Sequence, residues 1–255
     1  METTVCPYHF THAPAAMAKF LQVVGLVPVR TSGLEYTLLR GYAGYVAVHG
    51  TDQAAIGSGN ETHLCLATPS VDEYIKHHED TDLELIRWDE SWGVCAAAID
   101  PNGSGVWINE VDHDLYGYQD VEENNEPTAE VVMVRYSKDF DADREFFALL
   151  GFQPAPGACP EWEQLSASEQ SGWIGLHYPD QGQPSYRQEP RFHAVGKVPL
   201  VHLSFQTREE LQQVAQRLTE NGYPAQIVTD AVATKIHVTD PDGNRVEIHP
   251  SLKVA

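Results

Sequence analysis

Two stretches of this chain, AIDPNGSGVWINE at 98–110 and VTDPDGNRVEIHP at 238–250, are built alike. Each sets Asp-Pro, then Asn or Asp, then Gly, ahead of an apolar strand pattern. Glycine adopts positive φ at no steric cost, so Asn-Gly and Asp-Gly mark tight turns. Their aspartates, Asp100 and Asp240, lie 140 residues apart (240 − 100). A second pair recurs at nearly that spacing. THLCLATPSVDEYI begins at Thr62 and VHLSFQTREELQQV at Val201, and His202 follows His63 by 139 residues (202 − 63). Both read as an alternating strand that turns helical. Two separate motifs recurring at one spacing mark an internal duplication.

A third pair lies upstream. AKFLQVVGLVPV, from Ala18, matches REFFALLGFQPA, from Arg144, and each reads as a short amphipathic helix closed by Gly25 or Gly151. The candidate strands TTVCPYHF and AEVVMVRY precede them, and YTLLRGYAGYVAVHG and GWIGLHYP follow. The chain thus divides into four units of strand, helix and further strands, starting near 4, 62, 130 and 201. Units one and two form residues 1–118; units three and four form 128–255. GYQDVEENNEPTAE, between them, has the polar, acidic composition of a linker. The stretch at 178–199 is long for a plain connection and suits a functional loop.

Composition bounds the partners. The chain has 255 residues, 42% of them hydrophobic, enough for two ordinary cores. Sixteen basic residues against 37 acidic ones give a net charge of −21. Such a surface repels phosphate backbones and anionic lipids, so neither nucleic acid nor membrane is an expected partner. Cys6, Cys65, Cys95 and Cys159 form no CxxC pair and are expected as reduced thiols. No signal segment or membrane-length apolar run is read, so a soluble cytoplasmic protein is expected, as monomer or homodimer.

A strand opening with His-apolar, a helix, and a closing strand with Glu after Asp-Pro-Asp-Gly-Asn resembles the vicinal oxygen chelate superfamily: glyoxalases, bleomycin-resistance proteins and extradiol dioxygenases. The resemblance covers nearly the whole chain. It implies an α+β fold of four βαβββ modules, paired into two tandem glyoxalase-like domains whose sheets curl into cups. It also implies metal ligands on the opening and closing strands. His202 and Glu247 match two of those places. Alternation agrees: His202, Ser204 and Gln206 share one strand face, and Arg245, Glu247 and His249 another, opposite Val246 and Ile248.

The family's remaining histidine place falls on Val131 or Val132, which cannot bind metal. His177, one pleat from the position matching Glu247, is the candidate third ligand. His177, His202 and Glu247 would make a two-His-one-carboxylate set for Fe(II) or Mn(II), with Ni(II) or Zn(II) as alternatives. His193, in the long loop, and His249 are candidate acid–base groups. In the first half, His63 matches His202 and His49 mirrors His177, but Trp107 stands where Glu247 does. That half is expected to lack a catalytic metal. Two functions follow from the resemblance. One is a metal-dependent enzyme acting on a small vicinal-oxygen substrate, by extradiol ring cleavage or a glyoxalase- or lyase-like reaction. The other is a metal-free protein sequestering an aromatic or peptide-like compound.

Overall fold

A computed structural model describes residues 2–51, 59–90, 93–110, 117–122, 125–179, 186–188, 196–230 and 233–251. Unit one runs through β1 (Thr4–Val5), β2 (Tyr8–Thr11), α1 (Pro14–Val24), β3 (Val27–Ser32), β4 (Tyr36–Arg40) and β5 (Tyr45–Gly50). Unit two has β6 (Glu61–His63), β7 (Cys65–Thr68), α2 (Val71–His77), β8 (Leu85–Glu90), β9 (Gly93–Ile99) and β10 (Gly105–Glu110), and β11 (Gln119–Asp120) follows it. Unit three has β12 (Ala129–Tyr136), α3 (Phe140–Leu149), β13 (Gln153–Pro154), β14 (Trp162–Ser166) and β15 (Trp173–His177). After β16 (Tyr186–Gln188), unit four has β17 (Lys197–Thr207), α4 (Leu211–Glu220), β18 (Ala225–Thr229), β19 (Thr234–Thr239) and β20 (Arg245–Pro250).

All four units close alike. The opening strand lies parallel to the closing one: β2 to β5, β7 to β10, β12 to β15 and β17 to β20. Parallel neighbours need a long crossover, which the helix and intervening strands supply. Local chemistry places the helices. Pro14 sits at the start of α1 and Gly25 caps its end at φ 128°. The Asp139 carboxylate accepts from Ala142 N at the start of α3. In α4, Leu211, Val214 and Leu218 repeat at helical spacing and are buried. Val246 and Ile248 are buried in the main core, as are Leu203 and Phe205, so the strand faces fall as alternation requires. Gly103 and Gly243 take φ of 71° and 87° in the two Asp-Pro-x-Gly turns.

Opening strands also join units in pairs, antiparallel: β2 to β6, β1 to β7, and β12 to β17. The polar stretch after residue 118 is more than a tether. β11 extends the first half's sheet along β3, and Asp120 accepts from Arg30 Nε and Nη2.

The halves meet through contacts that repeat across the duplication. Val5 N donates to Ser171 O at 2.7 Å, and Val131 N donates to Ala43 O at 2.9 Å. Val5 and Val131 stand 126 residues apart (131 − 5), as do Gly25 and Gly151 (151 − 25). Each half also inserts its Asp-Pro-x-Gly turn against the other half's opening strand. Asp242, in the second turn, accepts from Thr11 Oγ1 and pairs with His9 Nε2, both at 2.8 Å. Asp100, in the first, pairs with Arg135 Nη2 at 2.8 Å. His9 and Arg135 again differ by 126 (135 − 9). The clasp is reciprocal. β6 adds a further link by pairing with β17.

Candidate functional site

Strand register sets out the cup of units three and four in rows. Glu247 of β20 lies beside Ser204 of β17, which faces Val132 of β12 and then Trp173 of β15. One pleat along lie His202, Val134, Gly175 and Gln164. One pleat further lie Tyr136, His177 and Trp162. The three proposed ligands therefore sit on one face but in three successive rows. Each row is ~6.6 Å from the next and each strand ~4.8 Å from its neighbour. Glu247 and His177 are two rows and three strands apart along the sheet.

Side-chain contacts reinforce that separation. The Tyr136 ring stands between the two histidines, 5.1 Å from His202 and 5.7 Å from His177, edge-on to both. His177 Nδ1 donates to Tyr178 O at 2.6 Å, and its ring also meets Trp162. Trp162 lies over Gly175, the counterpart of Glu247, where an added Cβ would collide with the indole. Burial and the nearby Arg245 hold the His202 imidazole below its usual pKa.

Glu247 already has four basic side chains around it. Lys235 Nζ is 3.0 Å away, His237 Nε2 3.1 Å, His249 Nε2 3.2 Å and an Arg245 nitrogen 3.7 Å. The hydrogen bond with His249, with help from Lys235, lowers its pKa to about 2 despite partial burial. Its carboxylate is ionised and is engaged by His249 and Lys235. His249, expected to work as an acid or base, is a hydrogen-bond partner of Glu247. His193 lies outside the described residues. Glu130, next to the valines at the missing histidine's place, is buried and bound by Trp173 Nε1, Arg208 Nε and Ser251 Oγ.

A resident divalent ion of the kind the resemblance implies needs three converging donors. Among the described residues, no three His, Cys, Asp or Glu side chains are placed to hold one. His177, His202 and Glu247 thus do not fit the group. Tyr136 intervenes between the histidines, and Lys235 and His249 engage the carboxylate.

The first half contains the same aromatic arrangement. The Phe10 ring lies 5.7 Å from His49 and 4.7 Å from His63, and His49 Nδ1 donates to Gly50 O at 2.7 Å. Phe10 and Tyr136 are equivalent across the duplication (136 − 10 = 126). The His–aromatic–His stack is therefore a property of the fold in this chain, present in both cups. Its recurrence at matched spacings is a signal that the sequence does carry. The acid is what differs: Trp107, packed against Trp88 at 5.6 Å, holds Glu247's place.

No family model matches the chain, and no curated protein matches it by sequence. Solved structures do match in fold. A catechol 2,3-dioxygenase superposes with a TM-score of 0.58 at 11% identity, over 98% of this chain and 88% of that one. BphC, a halotolerant catechol dioxygenase, gives 0.54 at 13% identity, over 97% and 85%. Homoprotocatechuate 2,3-dioxygenase from Brevibacterium fuscum, in an anaerobic substrate complex, gives 0.57 at 14% identity, over 97% and 79%. No helix among the described residues is long and apolar enough to cross a membrane. With four βαβββ units in sequence and this likeness, the chain has the vicinal oxygen chelate fold of the extradiol dioxygenases.

Proposed function

We propose that the protein binds a small planar organic molecule in the cup of units three and four without a resident metal, as the sequestering members of this fold class do. The observation that carries this reading is the closed network around Glu247, with Tyr136 wedged between His177 and His202. Trp162, Trp173 and Tyr136 offer flat apolar faces, and Gln164 and Gln206, buried and bonded to each other at 3.1 Å, supply polar contacts. Aromatic walls with a few polar groups suit a planar ligand. The test is metal retention. Purified protein is loaded with Fe(II), Mn(II), Ni(II) or Zn(II), desalted and assayed for metal. The expected result is substoichiometric retention, equal in wild type, Glu247→Ala and His202→Ala. Stoichiometric retention lost in either variant overturns the reading.

A ring-cleaving dioxygenase is the second reading. It is supported by the fold likeness to catechol dioxygenases and by two imidazoles, His237 and His249, beside Glu247. That pair would need Lys235 to leave the carboxylate. Ring-cleavage activity with catechol that depends on added Fe(II) and disappears in His249→Ala would establish it.

A further inference from the structure

We propose that the cup of units one and two is a second small-molecule site, which takes a neutral planar molecule through a carbonyl oxygen hydrogen-bonded to Asn109 Nδ2. The cup encloses a cleft of about 60 Å³. Its floor is buried and consists of Cys6, Ala67 and Asn109; its rim is half-buried and includes Tyr8, Tyr36 and Tyr118. Asn109 is 6% exposed. Its Oδ1 accepts from the Cys95 thiol at 3.2 Å. Cys95 is on β9 and Ala67 on β7, either side of Asn109 on β10. Nδ2 is therefore left on the side of Ala67 and the cleft, and it has no hydrogen-bond partner among the described residues. A buried donor without an acceptor is costly, so a ligand oxygen placed there gains the whole of a missing bond.

The walls decide the rest of the chemistry. Tyr36 lies 6.5 Å from Tyr8 and 5.1 Å from Tyr118, an aromatic rim against which a ring can lie. The cleft is less than half the roughly 150 Å³ that encloses a benzene ring, so it takes the carbonyl head and leaves the ring at the rim. Charge argues against an anion. Burial raises the phenol pKa values of Tyr8 and Tyr36, which keeps that wall neutral. The wall's cation, Arg30, is engaged by Asp120. Glu110 adds a carboxylate, turned toward the start of α2 by accepting from Val71 N. A charged head on this floor would lose its hydration without gaining a counter-ion.

Three fluorinated probes separate these ideas by ¹⁹F NMR on the full chain: 4-fluoroacetophenone, 4-fluorotoluene and 4-fluorobenzoate. The ketone is expected to bind about tenfold more tightly than the toluene, the scale of one buried hydrogen bond, and more tightly than the benzoate. Asn109→Leu removes the donor at nearly constant volume, and the ketone's advantage over the toluene should vanish. Leu38→Trp, a rim change that leaves the floor intact, should block the ketone and the toluene alike, and it decides the matter if the leucine variant does not fold. The proposal is overturned if ketone and toluene bind equally to wild type, if the preference survives Asn109→Leu, or if Leu38→Trp leaves ketone binding intact.

Discussion

Position 107 and position 247 occupy the same place in the two halves, and the fold treats them in opposite ways. Trp107 packs into a small apolar cluster with Cys65, Ala97 and Val198. Glu247 is ringed by Lys235, Arg245 and two histidines. The backbone frame is shared, since both closing strands lie parallel to their opening strands and follow the same turn. A duplicated frame thus leaves each cup free to choose its chemistry, one apolar and phenolic, the other ionic. Features found in both cups belong to the frame. Features found in one are where specificity resides.

The clasp between the halves gives the sharpest way to break that symmetry. Arg135 is fully buried and pairs with Asp100 and Asp143. His9, its counterpart, meets one carboxylate, Asp242, which also accepts from Thr11. Arg135→Leu strands two buried carboxylates and should cost ~3–5 kcal/mol. His9→Leu leaves Asp242 with its threonine and should cost ~1–3 kcal/mol. Urea unfolding midpoints check the order. Equal costs at the two positions would mean that the clasp is energetically symmetric despite its unequal partners.

The paired glycines at the junction of the halves give the next effect. A Cβ on Gly172, at φ 74°, would come within 2.9 Å of Val5 Cβ and 3.1 Å of Gly44 Cα. Gly151, at φ 93°, has nothing within 4 Å of such a Cβ. Gly151→Ala meets only the backbone strain of positive φ, ~1 kcal/mol. Gly172→Ala adds steric conflict with the other half and should cost ~2–4 kcal/mol by thermal unfolding. A Gly172→Ala cost no larger than that of Gly151→Ala would show that the halves separate slightly at little expense.

The repeat was legible because its signals are local. Asp-Pro-x-Gly, the helix-closing Gly25 and Gly151, and period-two alternation each act within a few residues and recur at fixed offsets. Such signals also placed His202 and Glu247 on the cup face. They carry nothing about register between strands distant in sequence. Ser204, not His202, lies directly beside Glu247, and that single pleat separates two residues which face the same cup. Lys235 and His237 reach the carboxylate from β19, next to β20 in the sheet, a neighbour that the strand pattern of 245–250 does not announce. The pairings of His9 with Asp242 and Arg135 with Asp100 are equally silent, because a turn aspartate reads as turn chemistry until the other half is in place.

Glu247 offers the smallest effect and the most direct comparison of the two cups. Its pKa is lowered from 4.5 to about 2, first through His249 and then Lys235. A lowered carboxylate pKa stabilises the fold above the unfolded value, and the gain is lost as pH falls through the folded one. The window is therefore between about 4.5 and about 2. With its side chain 26% exposed, screening reduces the contribution to ~1–2 kcal/mol. Glu247→Gln should lower stability by that amount at neutral pH and flatten the acid limb within the window, so that the curves of variant and wild type converge near pH 2. Trp107→Phe, at the matching place, removes no ionisable group and should shift stability equally at every pH. Acid-unfolding curves of the two variants decide the matter. A Glu247→Gln curve parallel to wild type throughout would mean that its cations stabilise the ionised carboxylate no better than water does, and the ionic character of this cup would then have to come from some other group.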